Sequence, residues 1–236
     1  MNNNVLAAAV LGLFLAVGLV LGGSYLNSAA VSWKSADRSV TVKGLAEREV
    51  KADLALWPLH FTVTGNDLTG VQKKIDDQAA VIRAFLRDAG FAADEITLTS
   101  PQVTDQYANS YGNQRPDARY SAEATMLVRT DKIAAVKQSM PRVGALISRG
   151  VLLSPNYNYR TEFLFTGLES IKPDMIAKAT ADARAAAKQF AEDSGSEVGQ
   201  IRSASQGYFS IQDLDSYTPD IKRVRVVTTI DYALDD

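Results

Sequence analysis

An imidazole, the side chain whose ordinary pKa suits general-base work and transition-metal binding near neutral pH, occurs once in the chain, at His60, and none of the 236 residues is cysteine. Disulfide frameworks and thiolate-ligated zinc or iron-sulfur sites are therefore excluded. A metal centre of several histidines, or a Ser-His-Asp relay, would have to hang on His60 alone. The chain carries no G-x-S-x-G elbow, Walker loop, G-x-G-x-x-G or H-E-x-x-H, so hydrolase, nucleotide and zinc-protease chemistries lack their parts. The adjacent carboxylates Asp76 and Asp77 diverge by about 100° if they lie on a helix, which is poor geometry for an acid-base pair. Asp213, Asp215 and Asp220 could offer oxygens to a hard cation. Their segment lacks the glycine and closing glutamate of a calcium loop, and its Ser216 and Pro219 are turn formers. His60 is expected to serve the structure, the acidic stretch to be a solvated hairpin tip, and the chain to be no enzyme and to need no cofactor or metal.

Charge excludes a further class. With 25 Lys and Arg against 27 Asp and Glu, the net charge is -2 and no basic excess marks a nucleic-acid partner. The residues left with something to do are aromatic. Tyr107 and Tyr111 fall in one polar loop, and Tyr208, Phe209 and Tyr217 in its later counterpart. Tyrosine buries a large area while keeping a polar handle, which suits either a subunit contact or the end of the protein's own core. Residue type alone leaves the two readings level.

No charged side chain precedes Lys34, and Val5 to Leu26 form a run of 22 uncharged residues. As a helix that run reaches about 33 Å, enough for a hydrocarbon core of about 30 Å. Tyr25 and Trp33 follow it, where amphipathic aromatics favour the membrane interface. The competing reading is a secretory signal cleaved near Ser28-Ala29-Ala30, but the run exceeds the usual signal core of about 7 to 15 residues and no basic residue precedes it. A single-pass anchor over residues 1–30 is expected, then a polar linker over 31–38. Lys34, Arg38 and Lys43, taken literally, hold the rest in the cytoplasm, yet long domains translocate largely regardless of charge. A bare N-terminal apolar segment is the usual export device, so the C-terminal domain is expected on the exported side of the membrane.

The elements after the linker come from periodicity. Val40-Thr41-Val42 opens a strand. Val50, Ala52, Leu54 and Leu56 alternate, and Leu59, Phe61 and Val63 continue one register later, so 50–64 reads as one long strand bent by a bulge at Trp57-Pro58. Asn66 or Asp67 caps a helix carrying Leu68, Val71, Ile75, Ala79, Ile82, Leu86 and Ala89, which Gly90 ends. A strand near 95–105, a hairpin tip over 106–120 and a returning strand with Tyr120, Ala122, Ala124, Met126 and Val128 follow. A helix from about 131 to 149 is interrupted at Pro141 and closed by Gly150. Then come a strand with Tyr157, Tyr159, Phe163 and Phe165, an Ala-rich helix over 168–194 ended by Gly195, and strands near 200–211 and 224–232. Residues 50–129 and 151–232 thus repeat strand, helix, strand, tip and strand. The expected fold class is α+β: an N-terminal transmembrane helix followed by a duplicated β-α-β-β two-layer domain, over 39–236, with largely antiparallel sheets.

These residues also resemble a known family. Val42, Gly44, Ala46, Glu47, Val50, Ala52, Asp53 and Ala55, within RSVTVKGLAEREVKADLA, together with ITLTSPQVTDQY at 96–107 and ARAAAKQFAEDSG at 183–195, are similar to the SIMPL-domain proteins of the bacterial envelope. The likeness spans about 38–232. It implies an α+β fold, export to the periplasm, so that the expected address is the bacterial inner membrane with the C-terminal domain in the periplasm, and assembly into large homo-oligomeric, channel-like or cage-like rings with the aromatic tips as subunit contacts, and it supplies no catalytic motif. The function expected is therefore a non-catalytic scaffold or passage whose partners are further copies of itself, the membrane through 5–26, and other envelope proteins. The alternative is a periplasmic module that binds a small ligand or an envelope component.

Overall fold

The computed structural model describes residues 12, 14, 16–24, 38–108, 116–154 and 159–235. Much of the uncharged run lies outside them, as do Tyr25, Trp33 and Tyr111. The described residues of the run are helical and exposed. Among the described residues no helix is long and apolar enough to cross a membrane.

Two sheets carry the rest of the chain. The first consists of β2 (Leu54–Gly65), β3 (Ile96–Leu98), β4 (Gln102–Asp105), β5 (Tyr120–Thr130) and β6 (Glu162–Leu164), in the order β3-β5-β2-β6 with β4 also on β5. Every pairing in it is antiparallel. The second has the order β1-β9-β7, from β1 (Ser39–Lys51), β9 (Ile221–Asp235) and β7 (Glu197–Gln206), with β8 (Ser210–Asp213) on β9. The architecture is α+β with antiparallel sheets. Its two compact units are 48–171 with 211–224, and, among the described residues, 38–47 with 172–210 and 225–235.

In the first of these units, helix α1 (Leu68–Asp88) is placed by its apolar spacing. Val71, Ile75, Ala79, Ile82 and Leu86 are buried against Ala55, Trp57, Leu59, Phe61 and Val63 of β2 and against Ala122, Ala124, Met126 and Val128 of β5. Asp67 caps the helix by accepting the Gly70 N–H at 2.6 Å. The connecting helix is broken as Pro141 requires, into α2 (Ile133–Ser139), a 3-10 turn over Met140–Val143 and α3 (Gly144–Ser148). Gly90, Gly150 and Gly195 stand just past their helices at φ of 93°, 83° and 67°, the left-handed conformation that closes a helix.

In the other unit, α4 (Leu168–Asp193) turns a stripe of small residues inward: Ala179, Ala183, Ala187 and Ala191 recur every fourth position and are fully buried. Ala183 and Ala187 pack on Val42, Ile230 and Tyr232. Gly44 of β1 meets the same stripe so closely that a Cβ there would lie 1.9 Å from the Ala179 carbonyl oxygen. Beside it, the Leu45 N–H donates to Asp182 Oδ2 at 2.9 Å.

The structure differs from the expected arrangement in two ways. No bulge occurs at Trp57-Pro58, since β2 pairs with β5 one to one from Ala55↔Thr130 to Gly65↔Tyr120. The slip in the pattern marks the end of β1 at Lys51 and the start of β2 at Leu54, where the chain leaves one sheet for another. Pro58 costs no bond to β5. The His60 carbonyl and the Thr62 N–H face Ser154 and Leu152, so by alternation Pro58 turns its missing donor to that same side. Second, the strand expected to open the later repeat is short and joins the first sheet as β6, pairing Leu54–Leu56 of β2. The long strand flanking β9 is instead β1, from the far end of the chain.

Candidate functional site

One-to-one pairing of β2 with β5 sorts their side chains onto two faces. Ala55, Trp57, Leu59, Phe61 and Val63 turn toward α1. The opposite face presents Leu56, Pro58, His60 and Thr62 across from Arg129, Leu127, Thr125 and Glu123. His60 therefore sits on the helix-free face, as the alternation with Leu59 and Phe61 predicts. It is nevertheless only 7 % exposed, because Tyr159 stacks on it with ring centroids 4.3 Å apart and planes 10° from parallel. Its Nδ1 lies 2.9 Å from Thr125 Oγ1 and its Nε2 3.5 Å from Glu123 Oε2.

The hydrogen bonds continue away from the ring. Thr99 Oγ1 accepts the Thr125 N–H at 3.1 Å, and the Thr99 N–H donates to the Thr125 carbonyl at 2.9 Å. Next to this chain of groups opens a cavity of about 390 Å³. Leu56, Pro58 and Leu127 supply its apolar wall, Thr99, Ser100, Gln102 and Thr125 its polar wall, and Tyr159, Arg160 and Glu162 border it. Sequence reasoning found His60 but not this setting. Thr99 and Ser100 lie between strands, and only the register brings Thr125 opposite His60. A second cavity, about 520 Å³, lies beside β6 and the tip of the β8–β9 hairpin, where the buried Lys222 ammonium pairs with Asp213.

The aromatic tips are built alike. Asp105 Oδ1 accepts the Tyr107 N–H at 3.0 Å, and Asp215 Oδ1 accepts the Tyr217 N–H at 2.7 Å, so in each an aspartate two residues upstream fixes the turn that carries the tyrosine. The Arg119 guanidinium, hydrogen-bonded to Asp105 at 2.9 Å, holds that carboxyl below its ordinary range and is itself pushed up by it. Asp215 is likewise held low, by the Thr218 hydroxyl and then by the Thr218 and Tyr217 N–H groups. Tyr208 is 100 % and Tyr217 93 % exposed, Tyr107 is on the surface, and Phe209 is half-buried. The other acidic side chain of the tip, Asp220, pairs with Lys137 at 2.8 Å, and no group of metal-ligating side chains occurs among the described residues.

The diagnostic block of the sequence also acquires physical roles. Val42, Gly44 and Ala46 form the buried face of β1. Asp53 accepts the Thr166 N–H at 2.8 Å and the Gly167 N–H at 3.0 Å, placing its charge at the start of α4. A family model, SIMPL, described as a protein of unknown function (DUF541), matches residues 40–227. The chain belongs to the SIMPL family. Comparison with curated proteins gives no match. The SIMPL match begins in β1 and ends within β9, so the block, the two long helices and the paired D-x-Y turns all fall inside one family unit.

Proposed function

We propose that this SIMPL protein is a membrane-tethered, non-catalytic scaffold that assembles with further copies of itself into a channel-like or cage-like ring on the periplasmic side of the bacterial inner membrane. The observation that carries the reading is β7. It is the terminal strand of its sheet, and residues 200–206 are exposed throughout, Ile201 included, leading directly to the wholly exposed Tyr208. A long bare edge is a template for pairing with another chain, and soluble proteins ordinarily blunt it with charge, proline or a covering element. The earlier part of the edge carries Arg202 and register shifts between Val198 and Ser203, and residues 203–206, Ser-Ala-Ser-Gln, then pair with β9 in regular register without charge or proline. Tyr107, Tyr217 and Phe209 add aromatic area of the kind enriched at subunit contacts. The tether is the uncharged run 5–26, with Tyr25 and Trp33 at its interface. In a cyclic assembly all tethers lie on one face and act together.

The test is the mass of the detergent-extracted protein by light scattering. Many copies per particle are expected, and Tyr208→Ser combined with Tyr217→Ser should dissociate them. A monomer at micromolar concentration refutes the reading. A second reading, a binding module for a small ligand or envelope component, draws support from the cavity beside Thr125 and predicts thermal stabilisation of the protein by such a compound.

A further inference from the structure

We propose that the cavity on the helix-free face of the β2–β5 sheet binds a neutral polyhydroxylated ligand, a saccharide or polyol, and that His60 is a positioning residue that sets which way one of its hydroxyls points. The proposal deepens the second reading above and does not depend on the first.

The volume, about 390 Å³, falls within the range of small-molecule sites, roughly 300–1,000 Å³. Its charge excludes ionic ligands first. Among the lining residues the two charged side chains, Arg160 and Glu162, have opposite sign, so the wall has no net charge to favour a phosphate, a carboxylate or an ammonium group. The other polar lining groups are four hydroxyls, of Thr99, Ser100, Thr125 and Tyr159, and the Gln102 amide, groups that can both donate and accept. Leu56, Pro58 and Leu127 on the floor, with the Tyr159 ring at the border, offer the apolar surface against which the C–H face of a pyranose packs.

The hydrogen-bond chain makes the argument specific. With the His60 proton on Nε2, facing Glu123, Nδ1 is an acceptor and the Thr125 hydroxyl spends its proton on it. Thr125 Oγ1, in a residue only 5 % exposed, then presents lone pairs. Thr99 Oγ1 already accepts the Thr125 N–H, so its proton is free to donate. An acceptor and a donor on one wall are the complement of a hydroxyl group, which needs both. An anion would meet the Thr125 lone pairs.

Titration calorimetry on the full chain, kept in a detergent without a sugar headgroup, tests this. The probes are glucose, N-acetylglucosamine, its β-1,4-linked pentamer and myo-inositol, with glutamate and inorganic phosphate as charged controls. Binding of at least one neutral probe is expected. Thr125→Val, which keeps shape and removes the acceptor, and Gln102→Ala, at an exposed position that leaves folding alone, should each weaken it roughly 2- to 10-fold. His60→Phe retains a ring for Tyr159 and removes the Nδ1 acceptor, so it should weaken the same probe without touching it. Preference for the pentamer over the monosaccharide would identify a polymer chain as the source, and equal binding a free sugar. Absence of binding by every neutral probe up to about 10 mM overturns the proposal, as does tighter binding of glutamate or phosphate, or indifference to both Thr125→Val and Gln102→Ala. Particle mass measured on the same samples keeps failure here distinct from failure of the assembly reading.

Discussion

Replacing Gly44 by alanine adds one methyl group at the tightest contact of the β1–α4 packing. The new Cβ would stand 1.9 Å from the Ala179 carbonyl oxygen, 2.4 Å from the Ala183 nitrogen and 2.8 Å from the Ala183 Cβ. Two of these are backbone atoms of a helix, so no rotamer change relieves them. To bring the first to even 3.0 Å, below which such contacts essentially never occur, strand and helix must part by about 1.1 Å. A gap of about 0.5–1 Å already forfeits a quarter to a half of each dispersion contact it opens, and it would open along the whole stripe from Ala179 to Ala187. Separation also stretches the 2.9 Å bond from the Leu45 N–H to Asp182. Overpacking a core costs about 1–3 kcal/mol, and a clash with backbone belongs at the upper end, about 3 kcal/mol. For a protein of this size that lowers Tm by about 6–12 °C.

The assay is thermal unfolding by calorimetry, with amide exchange to locate the loss. Where the two units melt as separate transitions, the loss falls on the transition whose amides lie in β1, α4, β7 and the later part of β9. Gly144→Ala is the internal control. Nothing lies within 4 Å of a Cβ there, and its φ of −55° suits alanine, so Tm should stay level or rise by a few degrees. The reasoning fails if Gly44→Ala melts within about 2 °C of the parent protein, or if Gly144→Ala falls as far.

Three further outcomes follow from named contacts. Asp53→Asn keeps the shape but removes the charge that accepts the Thr166 and Gly167 N–H groups, and should cost about 1 kcal/mol, read as a lowered denaturation midpoint. Asp67→Ala deletes the cap of α1 and should likewise cost about 1 kcal/mol, whereas Asp67→Ser should recover most of it. Burial pushes the Glu95 carboxyl up, but the Thr130 hydroxyl, the Lys132 ammonium and the Ala92 N–H outweigh it and hold the group below its ordinary 4.5. A carboxyl depressed in the folded state binds fewer protons there than when unfolded. Its stabilisation is complete above the unfolded pKa, about 4.5, and is lost as pH falls through the lower folded value. Glu95→Gln should therefore lower Tm at pH 7 and shrink the drop in Tm on acidification below about pH 4.5. An unchanged acid limb would show that the Lys132 contact is not felt.

Alternation was legible wherever one face of a strand is buried and the other is wet. In β9, Val224, Val226, Thr228, Ile230 and Tyr232 are buried in turn, and α1 presents the apolar positions its spacing requires. What local pattern could not tell was a bulge from a change of sheet. Both put the apolar residues out of phase by one, and only the distant partners, β9 for β1 and β5 for β2, distinguish them. The same holds for β6. Phe163 is buried as the pattern implies, but three residues are too few to reveal which sheet they edge. A usable signal did exist for the tips, since D-x-Y occurs at 105–107 and again at 215–217, each just past a short strand, and both turn out to be aspartate-fixed turns. The cavity had no such signal. Its hydroxyls come from β5 and from the stretch between β3 and β4, and Thr125 is hydrogen-bonded to a histidine 65 residues away in the chain.

The two strand-helix-strand arrangements share an order of pairing yet are filled differently, and the filling decides what each can carry. Under α1 the sheet holds Trp57, Phe61 and Met126 against Ile82, Phe85 and Leu86, so helix and sheet are separated by bulky, interlocked side chains. One face of β2 and β5 thereby supplies the packing, and the other is released to hold His60, Thr125 and a cavity. Under α4 the approach is closer: Gly44 meets helix backbone, and the small side chains Ala183 and Ala187 pack on Val42, Ile230 and Tyr232. At the margin of that sheet β7 is the terminal strand, and among the described residues none pairs with its outer edge, while its residues 200–206 are exposed. An edge of this kind is a template on which a further strand can pair. The first sheet thus offers a face with a cavity and the second an edge, and it is at the edge, where backbone donors and acceptors can extend the sheet, that contacts between copies are expected.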